Sequence, residues 1–176
     1  MELTADVRRE IAELSERYGE PRAIDALIHD GFDDPIRRRD RYGEVLMAVR
    51  RPSGNILVAI KTFYPRGAYR LPTGGIHHGE RILDAVIRET HEETGLETEL
   101  RRFLATISYR GRSTPTEPPL FHTFAFLLDE VGGTLGAIDK SERIATAGSV
   151  GIGGSWADWG RFRAVAHRVV ADALAS

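Results

Sequence analysis

The chain has 176 residues, with 24 basic against 26 acidic side chains and a formal net charge of −2. With 41% hydrophobic and 28% charged residues, this is one domain with an ordinary globular core, neither a disordered chain nor a basic nucleic-acid binder. The absence of cysteine excludes disulfides, iron–sulfur clusters, a thiol nucleophile and thiolate zinc sites, so any metal must use oxygen or imidazole ligands.

In chain order, the acidic start Met1-Glu2-Leu3-Thr4-Ala5-Asp6 has no apolar leader, which gives a cytoplasmic expectation. No apolar run of eighteen or more residues offers a membrane span. Thr4 is placed as the N-cap of a helix in which Val7, Ile11, Leu14 and Tyr18 recur at helical spacing. A second helix is expected from Pro21 to Gly31, so that residues 1–42 form a helical arm ahead of a domain at 43–176. Residues 33–41 mix both charges with a proline, as a connector does.

Residues 45–49 and 56–60 are short apolar runs around the turn chemistry of Arg50-Arg51-Pro52-Ser53-Gly54-Asn55, which predicts a β-hairpin. Residues 103–109 and 120–128 have the aromatic and β-branched content of strands, joined by a Pro-, Thr- and Arg-rich stretch suited to covering a site. The glycines of residues 148–155 predict a flexible loop. Trp159, Phe162, Ala166, Val169 and Ala173 then mark an amphipathic helix packed on the sheet.

The chemistry concentrates in residues 71–96, a glycine loop followed by a helix expected over residues 80–94. Leu83, Val86, Ile87 and Thr90 form its apolar face and Gly95 its left-handed C-cap. Glu89, Glu92 and Glu93 project within about 100° of one another, on a different side. On an exposed helix such a cluster costs little. In a cleft at an effective dielectric near 20, carboxylates about 5 Å apart repel by roughly 3 kcal/mol, and a hard divalent cation, Mg²⁺ or Mn²⁺, relieves them.

These residues read Gly74, five residues, Glu80, seven residues, then Arg88-Glu89-Thr90-His91-Glu92-Glu93-Thr94-Gly95-Leu96. The pattern resembles the signature of the Nudix hydrolase family, G-x5-E-x7-R-E-U-x-E-E-x-G-U with U a bulky aliphatic residue, and all seven invariant letters match. Thr90 departs from the usual aliphatic residue, and Thr73 stands where many members have glycine.

The resemblance implies an α/β fold, an α/β/α sandwich with a mixed sheet and the motif as loop–helix–loop, here with the N-terminal helical arm added. It implies divalent-metal-dependent hydrolysis of a nucleoside diphosphate linked to another moiety, by Mg²⁺ or Mn²⁺. Glu89 and Glu93 are the leading metal ligands, joined by Glu92, the Thr73 carbonyl and Glu80, which also holds the loop. Arg88 orients the carboxylates. The general base is Glu93, Glu92 or the distal Glu142. Lys61, Arg51, Arg66 and Arg112 lie near strand ends and the cover loop, as do Arg50, Arg70 and Arg110, the candidates to grip phosphate.

Subfamily markers, a proline about fifteen or a tyrosine about sixteen residues beyond the motif, are replaced here by Gly111 and Arg112. These markers do not resolve the substrate; the extended motif of the NADH-cleaving group is absent as well, and ADP-ribose or nucleotide sugars rank first and nucleoside triphosphates second. The alternatives are a catalytically silent nucleotide-binding sensor and an RNA 5′-end pyrophosphohydrolase. A small-molecule partner and a homodimer are expected, and nucleic acid and membrane are not.

Overall fold

The computed structural model describes residues 2–28, 40–61, 70–136, 144–150 and 160–175, with backbone alone for 60–61, 144–150, 160–165 and 175. The elements are α1 (Ala5–Tyr18), β1 (Arg22–Ile28), β2 (Arg41–Arg50), β3 (Ile56–Lys61), β4 (Thr73–His77), α2 (Ile82–Thr94), β5 (Leu96–Gly111), β6 (Phe121–Gly133), β7 (Ile144–Val150) and α3 (Gly160–Ala175). Seven strands form one mixed sheet in the order β1-β5-β6-β2-β3-β7, and β4 pairs with β2 off this path.

The centre of the sheet is buried on both faces, and its strands are correspondingly continuous apolar runs. In β2, Val45, Met47 and Val49 join a cluster with Leu14 of α1 and Ile82, Ala85 and Val86 of α2. The alternate residues Leu46 and Ala48 join a second cluster with Ala166, Val169, Val170 and Ala173 of α3. The two-residue period of one strand thus feeds two cores, and the helices make an α/β/α sandwich. Thr4 caps α1 as expected, its hydroxyl accepting from Val7 N. The hairpin of β2 and β3 also forms as the turn residues foretell, with Arg50 opposite Ile56.

Three expectations give way. The second helix, expected from Pro21, is the strand β1, running parallel to β5. Ala26 and Ile28 are buried while Asp25 and Leu27 between and beside them are exposed, so a two-residue alternation outweighed the Pro and Gly punctuation. Within the expected flexible loop, residues 148–150 belong to β7 and pair with β3. The apolar face of α2 is also displaced. Ile82, Ala85, Val86, Glu89, Thr90 and Glu93 are buried, whereas Ile87 is 57% exposed. Residues 29–31, 33–39, 151–155, Arg66, Glu142 and Trp159 lie outside the described residues, as do the side chains of Lys61 and Phe162.

The sheet forks beside β2. Its first half, Arg41 to Leu46, pairs with β4, and its last residue pairs with β3. The opening carries β4 and its glycines on one side of β2, while β6 runs parallel along the other. α2 packs over this fork, which brings its carboxylates onto the β4 backbone.

Candidate functional site

The turn from β4 into α2 is built by glycine and one carboxylate. Gly79 sits at φ 83°, in the left-handed region where a side chain is strained. Glu80 N donates to His77 O at 3.1 Å, and Glu80 Oε2 accepts from His77 N at 2.9 Å. At the far end Gly95, at φ 70°, donates to His91 O and stops the helix. Between these two stops lie the four motif carboxylates, Glu80 in the turn and Glu89, Glu92 and Glu93 on α2, together with the Arg88 guanidinium.

Arg88 is the hub. Its Nε and Nη2 meet the two oxygens of Glu80 at 2.8 and 2.9 Å, a fork-to-fork pair. Nη1 reaches Glu89 Oε1 at 2.8 Å and Glu92 Oε2 at 3.2 Å, and Nη2 also donates to the Gly75 carbonyl at 3.0 Å. One side chain thereby gathers three carboxylates and fixes the loop to the helix. Burial pushes the Glu80 carboxyl up, but the Arg88 hydrogen bonds and the His77 N–H prevail and hold it below the usual carboxylate range. Glu80 first and then Glu89 push the Arg88 guanidinium up, against the opposing effect of its burial.

Glu93 lies one helical turn beyond Glu89 and is deeper, 1% exposed against 7%. Its Oε2 accepts from Thr73 N at 3.1 Å and its Oε1 from Arg70 Nη2 at 3.4 Å. Arg70 is buried as well and donates through Nη1 to the Thr73 hydroxyl at 3.0 Å. Gly74 is required by space. A Cβ there would fall on the Glu89 carboxylate, and one on Gly75 would fall on the Arg41 guanidinium. The missing side chains of β4 are the volume into which Glu89 and Arg41 project.

Arg41 is held by Asp40 through two hydrogen bonds of 3.0 and 2.9 Å, and this guanidinium lowers the Asp40 carboxyl to about 2. Glu44, buried on β2 opposite Gly75, accepts from the Thr123 hydroxyl at 3.0 Å. On the next strands His122 Nδ1 and Ser108 Oγ are 3.2 Å apart. Ser108, His122, Thr123, Glu44 and Gly75 therefore follow one another across neighbouring strands at one end of the sheet.

The donor chemistry fits a hard divalent cation. Five carboxylates (Glu44, Glu80, Glu89, Glu92, Glu93) stand against three guanidiniums (Arg41, Arg70, Arg88), all linked by hydrogen bonds or through-space charge interactions. With Asp40, which forks onto Arg41, the carboxylates outnumber the guanidiniums six to three, and the donors are oxygen alone. Among the described residues no three His, Asp or Glu side chains stand together as a formed metal site. The motif carboxylates are instead turned to arginine, Glu80, Glu89 and Glu92 to Arg88 and Glu93 to Arg70.

Of the residues singled out in the sequence, Glu80, Arg88, Glu89, Glu92, Glu93 and Thr73 come together. Arg70 joins them from below, buried against Glu93 rather than open to a ligand. Arg110 stands at the same end of the sheet and bonds Asp25 and the Glu117 carbonyl. Arg50 stands at the other end of β2, forked onto Asp129 at 2.7 and 3.0 Å. The sequence placed Arg41 only in the charged connector, and Glu44 and His122 were not singled out. Glu44 had a legible signal, a lone carboxylate leading an unbroken apolar strand.

A family model described as NUDIX domain matches residues 40–151. An ADP-ribose pyrophosphatase of Methanocaldococcus jannaschii is 35% identical over 79 residues, 44% of this chain and 44% of that protein. The chain matches less than half the length of the curated relatives it resembles in sequence. Among solved structures, an ADP-ribose pyrophosphatase of Streptococcus suis superposes with a TM-score of 0.55 at 19% identity, covering 76% of this chain and 91% of that one. The Nudix domain of Shewanella oneidensis NrtR, solved with ADP ribose, gives 0.54 at 14% identity over 80% and 93%. At these identities the superpositions speak to the fold.

Proposed function

Because the chain belongs to the NUDIX family, we propose that it is a pyrophosphohydrolase cleaving a nucleoside diphosphate joined to a second group. ADP-ribose or a nucleotide sugar ranks first as substrate, supported by the 35% identity to an ADP-ribose pyrophosphatase, and a nucleoside triphosphate second. The observation that carries the reading is the buried pair Glu89 and Glu93, one turn apart, with Glu89 against Gly74 and Glu93 on the Thr73 amide of β4.

Nudix hydrolases generally use divalent metal ions, and here Glu89 and Glu93 would hold one, with Glu92, Glu80 and the Thr73 carbonyl as further oxygen donors. When bound, Mg²⁺ or Mn²⁺ offsets the charge of the diphosphate and lowers the pKa of the attacking water. Arg88 gathers Glu80, Glu89 and Glu92 at one guanidinium and so fixes their relative positions beside β4. Glu92 is the proton acceptor in this reading. Its side chain is 38% exposed, against 9% for Glu89 and 1% for Glu93, and both Glu93 oxygens are already engaged. Arg110, at the end of β5, is the candidate cation to meet a phosphate at that end of the sheet.

The reading is tested by incubating the protein with ADP-ribose, nucleotide sugars, dinucleoside polyphosphates and nucleoside triphosphates, with Mg²⁺, Mn²⁺ or EDTA. Release of AMP or another nucleoside monophosphate from one class, abolished by EDTA, is expected. Absence of turnover on all of them, with one still raising the melting temperature, would favour a binding module. A homodimer belongs to the same reading and is checked by light-scattering mass.

A further inference from the structure

The carboxylate helix begins without a cap of its own. Arg81 occupies the N-cap position of α2 and makes no side-chain capping bond. The first N–H groups of a helix have no partner within it, and Ile82 is fully buried, so its amide is shielded from solvent.

The partner comes from α1. Glu10 Oε2 accepts from Ile82 N at 3.0 Å, and Glu10 Oε1 accepts from Leu83 N at 3.2 Å. The Glu10 side chain is itself buried, at 7% exposure. One carboxylate therefore meets two amides at the positive end of the helix dipole, where an anion is favoured. Arg81 Nε lies 3.4 Å from the same carboxylate. Apolar contact between the two helices runs through Leu14 of α1, which shares a core cluster with Ile82, Ala85 and Val86. Toward the start of α1 the two segments are separated by a cavity of about 600 Å³ lined by Val7, Tyr42, His78 and Glu80. At the level of the motif loop α1 is tied to α2 by Glu10, which meets both amides and Arg81, and on the exposed side by the ion pair of Glu13 with Arg81.

We propose that Glu10 is a positioning residue for the carboxylate helix, supplying from outside the motif the cap that the motif lacks and so setting where Glu89 and Glu93 stand over β4. The inference rests on the hydrolase reading above for its consequence in turnover. It makes α1 a working part of the site.

Four variants test it: Glu10→Ala, Glu10→Gln, Glu13→Ala and the double variant Glu10→Ala/Arg81→Asp. The last restores a cap from the helix's own N-cap position, where Asp is favoured. Glu13 neighbours Arg81 on the exposed side of α1 and touches no α2 amide. Glu10→Ala should lower kcat at least tenfold with KM changed less than twofold, and the double variant should recover most of that loss. Glu13→Ala should stay near wild type. Amide exchange at Ile82 and Leu83 should accelerate at least tenfold in Glu10→Ala and return in the double variant.

An unchanged kcat in folded Glu10→Ala overturns the inference, as does a loss that the double variant leaves in place. Should Glu10→Ala not fold, Glu10→Gln, which keeps one acceptor oxygen, carries the same comparison with a smaller loss. A wild-type chain that hydrolyses no diphosphate would sink the hydrolase reading alone. Amide exchange then decides the capping role, acceleration relieved in the double variant supporting it and unchanged exchange overturning it.

Discussion

The motif residues act through one another. Arg88 touches Glu80, Glu89, Glu92 and the Gly75 carbonyl, so its loss releases three carboxylates at once. Arg70 and Glu93 form a separate, fully buried pair. Removing one member of such a pair leaves the other charge stranded, and Arg70→Ala should lower unfolding free energy by about 3–5 kcal/mol in urea titration. Glu80 has a different signature. Its folded pKa lies below the usual value, so its pairing with Arg88 stabilises the fold above about pH 4.3 and that contribution fades as pH falls through the lowered value. The difference in melting temperature between wild type and Glu80→Gln should therefore be largest near neutrality and shrink below pH 4, and a difference that grows on acidification would contradict the pairing. The seven motif letters made these residues legible from sequence. The Arg70 to Glu93 link was not, because an arginine outside the motif carries no mark of being buried.

Elements were legible where one period dominated. The hairpin of β2 and β3 and the helix α2 stand out because turn residues and caps agree with the apolar pattern. The face of α2 was misjudged because Glu89 and Glu93, counted as polar, occupy the buried side with Ile82, Ala85 and Val86. A helix that buries carboxylates cannot be oriented by hydrophobicity alone. In β1, the alternation of Ile24, Ala26 and Ile28 was present but lost to Pro21 and Gly31 as helix punctuation. Two glycines of the motif separate space from conformation. Gly74→Ala drives a methyl into the Glu89 carboxylate and should lower kcat at least about tenfold by moving a proposed metal ligand. Gly79→Ala meets nothing within 4 Å but must hold φ 83°, and should cost about 1–2 kcal/mol of stability with kcat largely kept.

For the whole molecule, the sequence indicated an α/β sandwich with a mixed sheet, and the two-sided burial of β2 is its physical basis. What could not be read was long-range topology. That β6 runs parallel to β2, that β1 closes an edge, and that α1 caps α2 all depend on partners distant in sequence. Among the described residues no helix is long and apolar enough to cross a membrane. The fork of the sheet beside β2 holds the motif glycines and the row from Ser108 to Gly75, so strand order, and not the motif alone, determines what surrounds the carboxylates.

The most direct test follows AMP release from ADP-ribose as Mn²⁺ is raised, comparing wild type, Glu93→Gln and Glu92→Gln. Wild-type turnover should saturate with the ion and vanish in EDTA. Glu93→Gln should need at least about tenfold more Mn²⁺, whereas Glu92→Gln should chiefly lose kcat, with a smaller rise in the Mn²⁺ requirement. Turnover that survives EDTA, or a Glu93→Gln variant with the wild-type Mn²⁺ dependence and rate, would contradict a site organised around the buried carboxylate pair.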